Sequence, residues 1–137
     1  RSKHLMTIFD KIVSGEIPSY KVAETDEFLA FLDVFPLKEG HTLVIPKAAV
    51  DYIFDLEDNT LAELHIFAKK VAKALESVVP CRRIGVAVIG LEVPHAHIHL
   101  VPLESVSDIN FSSPKIKVPE SRMTALASQI AEAFNKL

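Results

Sequence analysis

Apolar positions along the chain recur with two different periods, one typical of helices and one typical of strands. Between Thr7, which can cap a helix, and Gly15, which can end one, four apolar residues follow helical spacing. The clearest helical pattern covers residues 60–78, and a third covers residues 120–137. The sequence therefore predicts a short, a long and a C-terminal helix. The apolar positions of the first are Ile8, Phe9, Ile12 and Val13.

Five further segments are short, mostly apolar and bounded by turn residues, as is typical of strands. Because the loops between successive strands are short, we expect neighbouring strands to pair antiparallel. The pattern predicts an α+β fold in which the long helix packs against one face of a single sheet. The predicted strands cover residues 20–23, 28–34, 41–45, 83–89 and 95–102.

The length of 137 residues fits a single domain, which we expect to cover residues 6–137. We expect residues 1–5 to be an expression remnant, because Met6 is a plausible native start. Residues 105–119 are polar and contain prolines, which predicts an irregular excursion. This excursion belongs to a C-terminal extension, residues 103–137, to which no motif assigns a role.

The composition excludes several classes of protein. Hydrophobic residues make up 49% of the chain, which is too high for a disordered protein. A net charge of −3 offers no general attraction for nucleic acid or an anionic membrane. No apolar run in the sequence approaches the ~20 residues of a membrane span. With Cys81 as the single cysteine, no internal disulfide can form, which fits a reducing, cytoplasmic location.

Three histidines, His95, His97 and His99, occupy alternate positions of the last predicted strand. Side chains of a strand alternate between its faces, so the three imidazoles share one face and Ile98 lies on the other. Three imidazoles make a poor core and a poor solubilising surface, which favours a functional role over a structural one. We expect the central His97 to be accessible from a cleft.

Two kinds of chemistry fit this histidine cluster. Zinc binds histidine nitrogen, but alternate strand residues lie ~6.8 Å apart, so all three rings do not readily reach one ion. A zinc site made from two of them and His41 stays open, although no cysteine or carboxylate stands beside them in sequence. Alternatively, a neutral imidazole can attack phosphorus while its neighbours stabilise the developing charge on an extended anionic substrate.

The stretch H-A-H-I-H-L-V-P at residues 95–102 resembles the motif of the histidine triad (HIT) superfamily, H-x-H-x-H followed by apolar residues. Three earlier segments are similar to the nucleotide-binding, HINT-like branch of that superfamily and follow the same order. They are I-F-D-K-I with G-E-I-P at 8–18, A-F-L-D-V at 30–34 and G-H-T-L-V-I-P-K at 40–47.

The resemblance covers roughly residues 6–102 and implies a HIT-like fold, a five-stranded antiparallel sheet with helices. It also implies binding of a nucleoside monophosphate unit and transfer or hydrolysis at its α-phosphorus. By position, His97 matches the nucleophile that forms a nucleotidyl-histidine. His95 and His99 match its flanking supports, and His41 matches an upstream support. Asp33 matches the carboxylate that binds the ribose hydroxyls, a role for which its acceptor oxygens are suited.

The resemblance further implies an apolar pocket for the base. Phe9, Phe31 and Val34 match its walls, with plain core packing as the alternative for each. Leu32, assigned to the same substrate-binding region, stands where another histidine can occur.

The connection before the triad departs from the pattern of the superfamily. Many members carry a Gly-Gln pair there, with the glutamine near the phosphate, whereas Gly90 is followed by Leu91 in this chain. Many also carry an asparagine on the same hairpin, near the position of Ala87. Glu92 is a candidate to replace the missing polar contact, so we include Gly90 and Glu92 in the substrate site.

These observations predict a hydrolase or nucleotidyl transferase that acts on a purine nucleotide derivative. The substrate classes are a phosphoramidate, an acyl-adenylate or a dinucleoside polyphosphate. The alternative is a nucleotide-binding module with negligible turnover, because the usual glutamine and asparagine are absent. We expect no required cofactor, with zinc as a lesser alternative, and the resemblance implies a homodimer. We expect neither nucleic acid nor a membrane as a partner.

Overall fold

In a computed structural model of the chain, the structure describes residues 6–137, and the predicted remnant at residues 1–5 lies outside the described residues. Two short 3-10 turns, Ile53–Asp55 and Val106–Ile109, accompany the helices and strands. The main elements are α1 (Ile8–Ser14), β1 (Lys21–Glu24), β2 (Phe28–Leu32), β3 (Thr42–Pro46), α2 (Asp58–Val78), β4 (Arg83–Ala87), β5 (Ile98–Leu103) and α3 (Glu120–Asn135).

The five strands form one antiparallel sheet in the order β1-β2-β3-β5-β4, so the predicted α+β fold with a five-stranded sheet is confirmed. The sheet has two parts, β1-β2-β3 and β4-β5. They meet where β3 pairs with β5, and Leu43 lies opposite His99 in that pairing. The long helix α2 connects the two parts along the chain.

Strand alternation divides the apolar residues between the two faces of the sheet. On one face, α2 and α3 cover the larger core, to which β2 contributes Phe28, Ala30 and Leu32. On the other face, α1 covers a smaller core that includes Leu29 and Phe31 of the same strand. The odd-numbered positions of β2 and β3 therefore lie on the α1 face, and this is the face that carries the histidines.

The C-terminal extension is part of the domain and shares its core. The 3-10 turn after β5 interrupts the irregular excursion predicted for residues 105–119, and α3 then returns across the sheet. One stripe of α3 is buried in the larger core together with residues of α2. The buried residues of this stripe are Met123, Leu126, Ala127 and Ile130.

The strand predicted over residues 95–102 is wrong at its beginning. β5 starts at Ile98, and His95, Ala96 and His97 precede it as irregular chain. The reason is a contact distant in sequence, because the Ala96 N–H donates to the carbonyl of Val50 at 2.7 Å and not to a neighbouring strand. The first two triad histidines are therefore held by a loop, and only His99 lies in the ladder.

The remaining predicted boundaries lie within one or two residues of the observed ones. In α1, Thr7 caps the helix and Gly15 ends it in a left-handed conformation, as predicted. No helix in residues 6–137 combines the length and the apolar character that crossing a membrane requires.

Candidate active site

His41 enters the site directly after a glycine that the fold requires. Gly40 has φ 96°, and a Cβ there would lie 3.0 Å from Val79 and 3.1 Å from Leu75. This tight turn aims the His41 ring inward, where its Nδ1 accepts the backbone N–H of Leu37 at 3.0 Å. A neutral His41 ring that accepts at Nδ1 must carry its proton on Nε2.

His41 and His99 form a buried pair across the β3–β5 seam. The Nε2 of His41 lies 3.0 Å from the Nδ1 of His99, and the His41 proton is placed to donate to it. A neutral His99 then carries its own proton on Nε2. Burial lowers the pKa of His41 to about 4, and the charges of Lys115 and His97 act in the same direction.

Burial also lowers the pKa of His99 to about 3, assisted by the charges of His97, His41 and Lys115. Both rings of the pair are therefore neutral near pH 7. The hydrogen bonds run in one direction, from the Leu37 N–H through His41 to His99. They leave the Nε2–H of His99 as a donor.

Within residues 6–137, one ring nitrogen of His97 has no hydrogen-bond partner. Its Nδ1 donates to the carbonyl of His95 at 2.7 Å, so its Nε2 carries a lone pair in the neutral ring. Burial lowers the pKa of His97, which keeps the ring neutral. His97 keeps 6% of its surface exposed, with Phe9 and His99 packed edge-on against it at ring-centroid distances of 5.1 and 4.9 Å, and Ile98 is fully buried on the opposite face, as predicted.

His95 is the most deeply buried of the three triad histidines. Its side chain is fully buried, and its Nε2 donates to the carbonyl of Pro46 at 2.7 Å. The contribution of His95 toward His97 is its own backbone carbonyl. The three triad histidines thus differ in their hydrogen bonding. His95 is buried against Pro46, His97 has an unprotonated Nε2, and His99 has a protonated Nε2.

Asp33 lies at the end of β2, beside the histidine pair. One carboxylate oxygen accepts the Phe35 N–H at 2.9 Å, and the other lies 3.7 Å from the Nε2 of His41. Burial raises the pKa of Asp33 above its ordinary value. The side chain is 19% exposed, so the second oxygen has room to accept hydrogen bonds from a ligand.

Asp33, His41 and His99 each place one ligand atom within 4.8 Å of the others. Sequence reasoning found no carboxylate beside the histidines, and the fold supplies one from β2. The group nevertheless does not fit a metal ion well, since a metal needs a lone pair on the Nε2 of His41. That nitrogen carries the proton as long as Nδ1 accepts the Leu37 N–H.

The residues predicted to wall the base have different positions. Phe9 and Phe31 are buried in the smaller core, where their rings meet edge-on at 5.6 Å beneath the histidines. Leu32 was predicted in the substrate site, and this is wrong because its side chain lies in the larger core on the opposite face. Val34 lies beyond the strand end and is 58% exposed.

The connection before the triad is open. Gly90 has φ 72° with empty space around it, and Glu92 is exposed while its negative charge acts on both Asp33 and His97. Leu91 is 87% exposed and takes no part in the packing. Ala87 lies opposite His99 in the β4–β5 pairing, so the expected asparagine position does adjoin the triad.

The family model of the HIT domain matches residues 14–106 of this chain. The chain belongs to the HIT family. An uncharacterized HIT-like protein of Borreliella burgdorferi is 34% identical over 132 residues, which cover 90% of this chain and 95% of the relative. An adenosine 5'-monophosphoramidase of Schizosaccharomyces pombe is 35% identical over 127 residues, with the same two coverages.

A crystal structure of a Hit-like protein from Bartonella henselae superimposes on this HIT protein with a TM-score of 0.83. The two are 30% identical, and the match covers 97% of this chain and 99% of the other. The match therefore includes α3 and the irregular excursion, which lie beyond the residues that the family model covers.

Two residues of that excursion reach the site of this HIT protein and were missed from the sequence. Phe111 packs against His99 and His41, with ring centroids 4.5 and 6.1 Å apart. Lys115 bonds to the carbonyl of Phe111 at 2.9 Å, and its charge acts on Asp33 and both histidines. The Ile116 N–H holds the segment to the carbonyl of Pro36 at 2.9 Å. No periodicity or motif marks these positions.

Proposed function

We propose that this HIT protein hydrolyses a purine nucleoside phosphoramidate through a covalent nucleotidyl intermediate on His97. Membership of the HIT family and the similarity to a named monophosphoramidase support hydrolase activity in general, without specifying the substrate or the intermediate. The observation that carries the finer proposal is the bond from the His97 Nδ1 to the His95 carbonyl, which leaves Nε2 as a free nucleophile.

The reaction has two displacements at the α-phosphorus. In the first, the Nε2 of His97 attacks phosphorus, the P–N bond to the leaving group breaks, and the amine leaves after taking a proton from solvent. In the second, water attacks the same phosphorus, the bond to Nε2 breaks, and AMP leaves while the water proton passes to solvent. A neutral His97 is needed at the start of each cycle, which its lowered pKa provides.

His99 stabilises the charge that develops on the phosphoryl oxygens. Its Nε2–H is fixed as a donor because His41 donates to its Nδ1 at 3.0 Å. This leaves His41 without substrate contact, as a residue that sets the proton position on His99. The Asp33 oxygen that lies 3.7 Å from His41 accepts the ribose hydroxyls.

The proposed reaction requires no metal. The charge on phosphorus is met by the His99 donor and, at longer range, by Lys115. We expect turnover to be retained after dialysis against a chelator. A loss of turnover that added zinc reverses would contradict this part of the proposal.

The binding-module alternative is supported by the altered connection, where Leu91 and Ala87 supply no polar contact. Both readings predict nucleotide binding, and only the hydrolase predicts a covalent adduct. The test is incubation with adenosine phosphoramidate, rapid acid quench, intact-mass analysis and quantification of AMP. His97→Asn keeps a polar side chain and is the matched control, and His65→Asn on the exposed face of α2 is the second.

We expect wild type and His65→Asn to show the added nucleotidyl mass and to release AMP. We expect His97→Asn to show neither, while its affinity for AMP stays close to that of wild type. If wild type forms no adduct and releases AMP no faster than His97→Asn, the hydrolase is ruled out and the binding module replaces it.

We also propose a homodimer and a cytoplasmic location. β4 is an edge strand, and apolar residues on and after it are exposed, including Val86, Val88 and Ile89. An edge with exposed apolar side chains favours pairing with a second copy. Sedimentation equilibrium should give twice the chain mass, and the chain mass itself would contradict the dimer.

A further inference from the structure

The imidazole of His95 lies against the carboxylate of Asp10, a residue to which neither the motif nor the proposed reaction assigns a role. The Nδ1 of His95 lies 3.7 Å from the Oδ1 of Asp10. Both side chains are shielded from solvent, since His95 has no exposed surface and the Asp10 side chain is 10% exposed. The contact joins α1 to the loop that carries the first two triad histidines.

The hydrogen bonds around His95 fix the position of one of its protons. Nε2 lies 2.7 Å from the carbonyl oxygen of Pro46, and a carbonyl can only accept, so Nε2 carries a proton. In a neutral His95 the Nδ1 would then present a bare lone pair. Among the described residues, this nitrogen has no hydrogen-bond partner. A buried lone pair that faces a carboxylate is both unsatisfied and repelled.

The carboxylate of Asp10 accepts two hydrogen bonds from Thr7, an arrangement that favours its ionised form. Its Oδ2 accepts the backbone N–H of Thr7 at 2.9 Å and the Thr7 hydroxyl at 3.3 Å. Asp10 is thus half of the capping box of α1, with the acceptor geometry of a carboxylate. The proton that the pair requires therefore belongs on His95.

We propose that Asp10 is a positioning residue that holds His95 as an imidazolium, with protons on both ring nitrogens. One proton donates to Pro46 and the other faces Asp10, so the ring cannot turn. Among residues 6–137, the titratable groups against His95 are Asp10 from α1 and His97 from its own segment. β3 faces it with the Pro46 carbonyl.

The role of this ion pair in catalysis rests on the proposed function. A His95 fixed at both nitrogens also fixes its backbone carbonyl, which receives the Nδ1–H of His97. Its positive charge opposes protonation of His97 and so favours the neutral nucleophile. Asp10 thereby acts on the reaction through His95 without touching the substrate.

The first experiment measures the protonation of His95 directly in the full chain. A long-range ¹H–¹⁵N correlation spectrum of histidine-labelled protein near neutral pH distinguishes a doubly protonated ring from a neutral one. We expect both nitrogens of His95 to carry protons in wild type. A neutral His95 with its proton on Nε2 alone would overturn the proposal, whether or not the protein turns over substrate.

The second experiment compares Asp10→Asn with Thr7→Ala. Asp10→Asn keeps an oxygen that can cap α1 and removes the charge. Thr7→Ala removes the other side chain of the capping box and keeps the carboxylate. We expect Asp10→Asn to convert His95 to the neutral ring and to lower kcat roughly 10- to 100-fold, the loss typical of removing a partner that orients a functional imidazole. KM should be almost unchanged.

The pH–rate profile separates this role from a purely structural one. With a neutral His95, the pKa of His97 rises, so the acid limb of the Asp10→Asn profile should move to higher pH. Thr7→Ala keeps the Asp10 carboxylate and the backbone N–H of residue 7, the shorter of its two donors, so it should lower the melting temperature and leave the pH–rate profile close to that of wild type. An unchanged acid limb in Asp10→Asn would overturn the catalytic role. If the spectra are as expected but wild type and both variants fail to turn over substrate, the result contradicts the proposed function and still supports the ion pair.

Discussion

The phenyl ring of Phe111 packs edge-on against the imidazole of His99, with their centroids 4.5 Å apart and their planes 67° apart. Phe111 comes from the irregular segment after β5, and His99 comes from the middle of the sheet. The contact contributes to the burial of the His99 ring, and burial is the main cause of its lowered pKa. A segment with no regular structure therefore keeps His99 neutral.

Phe111→Ala should expose His99 and allow its pKa to rise from about 3 toward the ordinary value. The loss of an aromatic edge contact is worth ~0.5–1.5 kcal/mol, so we expect kcat/KM near pH 7 to fall by up to about tenfold. The loss should be larger at acidic pH, where His99 becomes charged. Steady-state kinetics across pH measure this. Phe54→Ala, which removes an exposed ring, is the control, and an equal effect of both variants would contradict a local role for Phe111.

Asp33→Ala should weaken AMP binding. A charge-assisted hydrogen bond contributes ~1.5–3 kcal/mol, which corresponds to a roughly 10- to 150-fold higher Kd. Titration calorimetry with AMP measures the effect, and Asp26→Ala on the exposed β1–β2 turn is the matched control. Unchanged affinity in Asp33→Ala would remove this carboxylate from the ribose site.

The fold and the histidine face follow from local patterns, whereas several details of the site do not. Alternation alone places Phe31, Asp33 and His41 on the side of the triad. The same alternation places Leu32 in the larger core on the opposite face. The resemblance, applied position by position, assigns Leu32 to the substrate site, although the strand period already predicts the opposite face. The sequence alone is therefore sufficient to assign Leu32 to the core.

Other features depend on contacts between distant segments and carry no local signal. The loop conformation of His95 and His97 depends on the bond from the Ala96 N–H to Val50, which a strand-like pattern does not show. The approach of Phe111 to the site depends on how the segment after β5 folds back along the loop before β3. Neither depends on periodicity, so neither could be predicted from it.

Acid should destabilise the protein through the histidine pair. The pKa of His41 is lowered to about 4 in the folded chain and is about 6.5 in an unfolded one. Between these values the unfolded state binds a proton that the folded state does not, so the free energy of unfolding falls as pH falls from about 6.5 to about 4. His41 alone accounts for roughly 3 kcal/mol. His99 adds to this loss down to about pH 3.

Urea unfolding at a series of pH values checks this dependence. The pKa of Asp33 is raised by burial, so as pH falls the folded state binds this proton before the unfolded state does. Asp33 therefore offsets part of the decrease in the free energy of unfolding. His41→Gln should have lower stability at pH 7 and a flatter dependence on pH. A wild-type stability that does not change between pH 7 and pH 5 would contradict neutral burial of the pair.

Gly40→Ala should destabilise the fold more than Gly15→Ala. Both glycines have left-handed backbones, with φ 96° and 85°, so an alanine at either position costs ~1–2 kcal/mol of backbone strain. Only at position 40 would the new Cβ also press on Val79 and Leu75, at 3.0 and 3.1 Å, because open space surrounds Gly15. Thermal unfolding measures the difference, and equal losses would show that the contacts yield without cost.

The histidine pair joins residues 58 positions apart, and it lies on the seam where β3 meets β5. Each half of the sheet carries part of the site, with Asp33 and His41 on one side and the triad on the other. A newly made chain that has formed only one half has no His41–His99 bond, so no fixed donor for the phosphoryl oxygens exists in it. The site as proposed is therefore complete only when both halves of the sheet have docked, so catalytic competence reports on the β3–β5 seam as well as on the residues themselves.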